Sequence, residues 1–178
     1  NVLCDTCDAP IPTFTNVTCY GGNDGSVNLT ISGGTGSTYN IDWGGIDPNL
    51  LSAGNYTITV SDSNNCSLIE TVNINEPEEI QITSITNNVS CHGDTNGNAV
   101  LIITGGTAPF SQTWFGIDSS ALAPGIYYYQ VTDNNNCTTE GDITIYEPDI
   151  LTATTSITNI DCYGDTTGSI LLNITGGT

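Results

Sequence analysis

Apolar and polar residues alternate along most of the chain, and the alternation has a period of two. Val27, Leu29 and Ile31 are each followed by a polar residue, and residues 56–60 obey the same rule. This period places every second side chain on one face of a β-strand. No segment shows a sustained period of 3.6 residues. The pattern therefore predicts an all-β protein whose strands each bury one face.

The same succession of predicted strands occurs twice, and its beginning occurs a third time. Each copy opens with Cys-Tyr/His-Gly, and the opening cysteines Cys19, Cys91 and Cys162 are 72 and 71 residues apart. A strand ending in Gly-Gly-Thr follows each of them. A fixed period of this length is typical of a tandem array of small domains. We predict an irregular N-terminal leader, two complete repeats and the start of a third, at residues 1–14, 15–77, 78–148 and 149–178.

The second repeat indicates the type of domain. We expect its strands A, B, C, F and G at residues 80–90, 98–104, 110–114, 127–132 and 139–146. A lone Trp114 lies on the third of these, and Gly125-Ile126-Tyr127 enters the fourth, where the tyrosine resembles a tyrosine corner. These features favour an immunoglobulin-like β-sandwich. A Glu-Pro closes each repeat and leaves a short, stiff joint, which predicts repeats arranged end to end in a rod.

The charge of the chain excludes two classes of partner. It contains no Lys or Arg, against 19 Asp and Glu, and its formal net charge is −19. Nucleic acids and anionic lipids are both bound through basic side chains, so we expect neither as a partner. No stretch has the length and hydrophobicity of a transmembrane helix, so we expect no direct membrane insertion. The simplest interpretation of the acidic composition is solubility outside the cell.

Seven cysteines without a zinc-ligand pattern predict disulfides and an oxidising, extracellular location. They are Cys4, Cys7, Cys19, Cys66, Cys91, Cys137 and Cys162. The Cys-x-x-Cys at positions 4 and 7 is not surrounded by a βαβ pattern, so we interpret it as structural rather than redox-active.

Two disulfide arrangements are open. In one, the bonds lie within the repeats, as Cys19 with Cys66 and Cys91 with Cys137. In a sandwich, however, the A–B and F–G turns lie at opposite ends, about 30 Å apart, whereas bonded Cα atoms lie within about 7 Å. We therefore favour the second arrangement, in which Cys19 bonds Cys137 between repeats. The others would then be assigned as Cys66 with Cys4 or Cys7, and Cys91 and Cys162 with later repeats.

Taken as an ordered set, these motifs resemble the SprB repeat family. The matching pieces are Cys-Tyr/His-Gly-x-x-x-Gly, the Gly-Gly-Thr strand end, the Trp, Gly-x-Tyr, Asp-x-Asn-Asn-Cys and the closing Glu-Pro, over about residues 15–178. The first repeat departs from the second at Gly36-Ser37-Thr38, where the second has Ala108-Pro109, and the leader matches nothing in the family. The resemblance supplies no catalytic residues.

The resemblance implies an adhesive or filament-forming role in a long extracellular surface protein of gliding Bacteroidota, exported by the type IX secretion system. It implies glycans or proteins of a cell surface or substratum as partners, together with self-association or a partner in the motility machinery. We expect no enzyme activity. The alternative is a set of glycan-binding accessory repeats attached to a secreted enzyme.

The acidic turns are candidate calcium sites. Their carboxylates are Asp24, Asp94, Asp165, Asp62 and Asp133. Calcium takes six to eight oxygen ligands, whereas each turn offers a single carboxylate. We therefore favour the interpretation that these residues serve turn geometry, and we expect no cofactor other than, as an alternative, calcium.

The remaining candidates are aromatic. His92 is the only histidine, and its counterparts Tyr20 and Tyr163 indicate an aromatic turn residue rather than a catalytic base. Trp114, Phe115 and Tyr128 are candidates for a sugar-binding platform. We expect Trp114 to belong to the core and Tyr128 to face outward.

Overall fold

The structure is a computed structural model that describes residues 10–32, 38–63 and 66–178. Over these residues the chain forms twelve β-strands and no helix, which confirms the all-β prediction. The strands are β1 Ile11–Thr15, β2 Ser26–Thr30, β3 Tyr39–Asp42, β4 Gly54–Asp62, β5 Ser67–Ile74, β6 Gln81–Asn87, β7 Asn98–Thr104, β8 Ser111–Thr113, β9 Gly125–Thr132, β10 Thr138–Ile145, β11 Thr152–Thr158 and β12 Ser169–Thr175. Within the described ranges, no helix has the length and hydropathy needed to cross a membrane.

The strands form small sheets whose order repeats along the chain. The first repeat has a two-stranded sheet, β1-β2, and a three-stranded sheet, β3-β4-β5. The second repeat has the matching sheets β6-β7 and β10-β9-β8, and β11 pairs with β12 in the third. The five strands of each complete repeat correspond to the predicted A, B, C, F and G. An A–B sheet and a C–F–G sheet are consistent with β-sandwich-like repeats.

Several predicted boundaries were wrong. Residues 1–14 were predicted to be an irregular leader, but β1 begins at Ile11, and strand F begins at Gly125 and not at residue 127. Strand A was expected to reach residue 90, but β6 ends at Asn87. Up to Asn87 the chain pairs with β7, but beyond it the hydrogen bonds go to Tyr146. The Val89 amide donates to the Tyr146 carbonyl at 3.2 Å, and the Asn88 side chain accepts from the Tyr146 amide. Trp114 was expected on strand C and instead lies directly after β8.

The first repeat has a continuous apolar core. Its buried members are Val17, Val27, Leu51, Ile58, Val60, Val72 and Ile74. Those on β4 and β5 occupy alternate positions, as the period of two predicts. Trp43 and Tyr56 pack against this core. Each fully buried Val, Leu or Ile contributes about 1.5–3 kcal/mol relative to its exposed state, so these side chains hold the two sheets together.

The second repeat buries residues at the matching positions. They include Val89, Ala99, Leu101, Leu122, Tyr129, Val131, Ile143 and Ile145. The ring of Trp114 lies 5.5 Å from that of Tyr129, tilted by 56°. Trp114 therefore packs against the core, as expected.

The predicted tyrosine corner is present in both repeats. The Tyr56 hydroxyl donates to the Ser52 carbonyl at 2.9 Å, and the Tyr127 hydroxyl donates to the Ala123 carbonyl at 2.8 Å. Each bond ties the start of a long strand, β4 or β9, to the loop that precedes it.

The third segment forms one antiparallel ladder, with Ile157 opposite Ile170. Ile170 and Leu172 correspond to the buried Ala99 and Leu101 of the second repeat, yet they are 73% and 53% exposed. Within the described residues, no second sheet covers this ladder.

By its internal contacts the chain divides into two compact units. One comprises Asn1–Gln81, Thr104–Ser111 and Thr132–Thr138, and the other comprises Ile82–Ile103, Gln112–Val131 and Thr139–Thr178. The turn between β9 and β10 therefore belongs to the same unit as the first repeat.

Candidate functional site

The turn that follows β1 carries Cys19 and is held by carboxylates. The Gly22 amide donates to the Cys19 carbonyl at 2.9 Å, which closes the turn. The Glu76 carboxylate, from the closing Glu-Pro, accepts from the Gly21 amide at 2.6 Å. Gly21 has a φ of 69°, a left-handed conformation that favours glycine. The position of Cys19 is thus fixed by a residue at the far end of its own repeat.

Asp24 stabilises the same turn from its other side. Its Oδ1 accepts from the Thr18 amide at 2.9 Å. Hydrogen bonds from the Thr18 side chain and backbone hold the pKa of the Asp24 carboxyl below its usual range, because they favour the charged form.

The second repeat builds the turn at Cys91 in the same way. The Asp94 amide donates to the Cys91 carbonyl at 3.1 Å, and Glu147 accepts from the Gly93 amide at 2.8 Å. Asn96 replaces Asp24 and accepts from the Ser90 amide at 3.0 Å. Since these bonds recur, the turn is a property of the repeat and not of one copy.

His92 lies in this turn, at the position predicted for an aromatic turn residue. Its Nδ1 is 3.2 Å from the Glu147 carboxylate and 3.3 Å from the Pro148 carbonyl. Its side chain is 46% exposed. The histidine therefore contacts the closing Glu-Pro of its own repeat.

The turn between β9 and β10 is organised around the carboxylate of Asp133, which is buried. Its Oδ1 accepts from the amides of Asn135 and Cys137, and its Oδ2 accepts from the Thr107 amide at 2.9 Å. Three donated bonds compensate for removing the charge from water. In the first repeat, Asp62 accepts from the Cys66 amide at 3.0 Å in the same manner.

The structure joins Cys19 to Cys137 by a disulfide, with the Cα atoms 5.6 Å apart and a sequence separation of 118 residues. Next to it, the Asn135 side chain donates to the Thr18 carbonyl at 3.1 Å and to the Thr107 hydroxyl at 3.2 Å. All of these residues belong to one compact unit. The disulfide therefore connects the A–B turn of the first repeat to the F–G turn of the second, as we favoured.

The alternative within-repeat pairings, Cys19 with Cys66 and Cys91 with Cys137, were wrong, because Cys19 and Cys137 bond each other. Cys66 is itself disulfide-bonded, but the predicted pairing with Cys4 or Cys7 lies outside the described residues. Cys91 and Cys162 are free and exposed, so their pairing with later repeats stays a prediction.

Four of the five calcium candidates accept hydrogen bonds from backbone amides. Besides Asp24, Asp62 and Asp133, Asp165 accepts from the Cys162 amide at 3.2 Å, and Asp94 lies in the Cys91 turn. Among the described residues, no group of three or more His, Cys, Asp or Glu side chains is placed to hold a metal ion. Calcium binding stays an untested prediction.

Two of the aromatic candidates are on the surface. Tyr128 is 63% exposed, which agrees with the expected outward orientation, and Phe115 is 62% exposed. Phe115 has a φ of 54°, and its counterpart in the first repeat is Gly44, at 64°. A left-handed conformation is costly for a bulky side chain. The second repeat thus carries an exposed aromatic residue in a strained turn.

Two contributions to the site were not predicted from the sequence. Glu76 and Glu147 were interpreted only as parts of a joint, and Asn135 only as a turn residue. The available signal was a Glu-Pro that follows the turn glycine by 55 residues in the first repeat and by 54 in the second.

Comparison with known protein families gives three matches. The family model described as SprB repeat matches residues 11–47, 83–118 and 154–178, which together are more than half of the chain. Each match includes all or most of an A strand and the cysteine-bearing turn after it. No curated protein and no solved structure matches the chain.

Proposed function

The chain belongs to the SprB repeat family, and we propose that it is a load-bearing, adhesive and non-catalytic segment of a long extracellular surface filament. Family membership supports a repeat region of a surface, adhesin-like protein. The observation that carries the mechanical part of the proposal is the disulfide between Cys19 and Cys137.

This disulfide changes how a pulling force passes through the chain. Force that enters at the N-terminus and reaches Cys19 passes directly to Cys137 through the sulfur atoms. The strands β2 to β9 lie within the covalent loop, so the force that enters at Cys19 bypasses them while the bond is intact. Most of two repeats is thereby protected from mechanical unfolding by a single bond.

The composition suits this role outside the cell. Disulfides persist in oxidising compartments, and a chain without Lys or Arg offers no cleavage site to trypsin-like proteases. A formal net charge of −19 makes neighbouring copies repel each other, which keeps filaments apart.

We propose that the repeats are immunoglobulin-like units arranged end to end in a rod.

The finer assignment is a role in gliding motility or surface attachment, after export by the type IX secretion system. The filament would engage glycans or proteins of a surface, and a component of the motility machinery would move it. Deletion of this segment from its native protein should reduce attachment to glass and movement on a surface without slowing growth. Unchanged attachment and movement would contradict the adhesive assignment.

Single-molecule extension tests the load-bearing assignment. Reduction of the Cys19 to Cys137 bond should release about 400 Å of additional contour length, since the 118-residue loop extends by about 3.3–3.6 Å per residue. A Cys91→Ser variant, which keeps the bond, is the matched control and should behave like the wild type. Equal contour lengths before and after reduction would reject the assignment.

A second candidate function is glycan binding as an accessory region of a secreted enzyme. The strained, exposed Phe115 favours it, because strain of this kind persists where a function requires it. Affinity electrophoresis in polysaccharide gels would test it, with Phe115→Gly reproducing Gly44 of the first repeat. Retardation that is lost in Phe115→Gly and in Tyr128→Ala would support glycan binding, and migration unaffected by any polysaccharide would reject it.

A further inference from the structure

A groove lies beside the free thiol of Cys91. It has a volume of about 540 Å³, and the residues that define this Cys91 groove include Ser90, Cys91, Asp149, Leu151, Gly177 and Thr178. All of them belong to one compact unit. Cys91 is exposed, and no disulfide engages it. The groove therefore presents an exposed thiol at the edge of a concave surface.

The position equivalent to the Cys91 groove, beside Cys19, is occupied by another part of the chain. There the turn of residues 133–137 lies against Thr18 and Thr107, which correspond to Ser90 and Thr178. The Asn134 amide donates to the Thr107 carbonyl at 2.9 Å, and the Thr107 amide donates to the Asp133 carboxylate at 2.9 Å. The disulfide from Cys19 to Cys137 completes this contact.

The two places are built from the same backbone bonds. In the occupied one, the Gly106 amide donates to the Glu78 carbonyl at 2.8 Å. In the Cys91 groove, the Gly177 amide donates to the Asp149 carbonyl at 2.9 Å. Gly106 and Gly177 both have left-handed φ angles, 58° and 76°. Since the turn that bears Cys91 also keeps the bonds of the turn that bears Cys19, the Cys91 groove is already formed without its occupant.

We propose that the Cys91 groove binds the turn of the third repeat that corresponds to residues 133–137, a turn of sequence type Asp-x-Asn-x-Cys, and that Cys91 forms a disulfide with its cysteine. The proposal rests on the proposed load-bearing function and names the partner of the next disulfide between repeats. By correspondence, the Thr178 amide donates to the aspartate of the turn. The Ser90 carbonyl accepts from the side chain of the asparagine in this motif, as the Thr18 carbonyl does from Asn135.

Formation of the bond is an oxidation and requires an acceptor of two electrons. A small-molecule disulfide supplies this capacity through two exchange steps. The Cys91 thiolate attacks the small disulfide, forms a mixed disulfide and releases one small thiolate. The thiolate of the incoming turn then attacks the Cys91 sulfur and releases the second. Two protein thiols lose two protons and two electrons, and the small disulfide is reduced to two thiols.

An extended chain provides the first test. Because Thr178 corresponds to Thr107, a copy of residues 108–148 appended after Thr178 completes the third repeat and adds a copy of Cys137. Refolding with oxidised and reduced glutathione, followed by peptide mapping, should recover Cys91 linked to the copied cysteine, with Cys162 free. A bond between Cys162 and the copied cysteine, or a Cys91 that is still alkylated, would overturn the proposal.

A second measurement uses the 178-residue chain itself and does not depend on folding of the added segment. The probe is a peptide of residues 130–138 whose cysteine is activated as an aryl mixed disulfide. Docking raises the local concentration of the probe, so Cys91 should react about tenfold faster than Cys162. A scrambled peptide should react equally at both cysteines. Equal rates with the native peptide would reject the docking site, and the force test on the bond between Cys19 and Cys137 would stand unaffected.

Discussion

The side chain of Asn135 donates a hydrogen bond to the backbone carbonyl of Thr18, 117 residues earlier in the chain, at 3.1 Å. Thr18 precedes Cys19 by one residue and Asn135 precedes Cys137 by two, so the hydrogen bond lies beside the disulfide. Polar side chains therefore position the two turns that the disulfide connects. The turn between β9 and β10 is held internally by hydrogen bonds to Asp133, so its shape does not depend on the bond to Cys19.

The disulfide should be the largest single contribution to stability at this site. The double variant Cys19→Ser/Cys137→Ser should lower the free energy of unfolding by about 4–5 kcal/mol, because the bond closes a loop on the order of 100 residues in the unfolded chain. Urea denaturation followed by tryptophan fluorescence measures the change. Cys91→Ser/Cys162→Ser is the matched control, since both thiols are free. Equal losses in the two double variants would contradict the prediction.

The Asp133 carboxylate should tolerate no replacement, not even by its amide. In Asp133→Asn, an amide NH₂ takes the place of one oxygen and faces a backbone N–H donor. The unfolding free energy should fall by about 2 kcal/mol, the cost of leaving a buried donor unsatisfied. Asp142→Asn makes the same charge change at an exposed position of β10 and should have no measurable effect. The fraction of chains with a Cys19 to Cys137 bond after refolding should also fall in Asp133→Asn alone.

Adjacent tyrosines allow the corner to be tested with a matched pair. Tyr127→Phe removes the hydroxyl that donates to the Ala123 carbonyl and should cost about 1 kcal/mol. Tyr128→Phe removes a hydroxyl from an exposed side chain and should leave stability unchanged. Thermal and urea denaturation measure both. A neutral Tyr127→Phe would show that the corner does not stabilise the repeat.

The two repeats should differ in their response to acid at one position. The folded pKa of Asp24 is lowered, so its contribution is fully present above the unfolded pKa and is lost as the pH falls through the folded pKa. Asp24→Asn reproduces Asn96 of the second repeat, keeps an acceptor for the Thr18 amide and does not titrate. Its stability should therefore decline less than that of the wild type between about pH 5 and pH 2. Parallel pH profiles of unfolding would contradict this.

Asp118 provides a second instance of the same effect. Hydrogen bonds from the Ser120 side chain and backbone lower the pKa of its carboxyl. Adding Asp118→Asn to the Asp24→Asn variant should further reduce the loss of unfolding free energy as the pH falls. The control is Asp142→Asn in the same background.

The sequence was informative wherever the evidence was periodic or repeated. Alternation at Val27, Leu29 and Ile31 predicted strands, and the recurring Gly-x-Tyr predicted the corner that Tyr127 forms. The choice between disulfide pairings followed from the positions of turns at opposite ends of a sandwich. The first two inferences used local spacing, and the third used the geometry that the predicted fold implies.

The sequence was less informative where a contact crosses a whole repeat. Strand A was extended too far because nothing local to Val89 indicates that its amide donates to Tyr146. Glu147 was not recognised as an acceptor because Gly93 lies 54 residues away. The left-handed conformation of Phe115 was not predicted because that residue type normally avoids it. Long-range hydrogen bonds and tolerated backbone strain do not produce a periodic pattern in the sequence.

The sequence separation of 118 residues has a consequence for biogenesis. Cys19 precedes Cys137 in the chain, and the turn that presents Cys137 is held by the Asp133 carboxylate. Closure of this disulfide therefore depends on folding of the second repeat. A defect in the second repeat would leave Cys19 of the first repeat as an unpaired thiol.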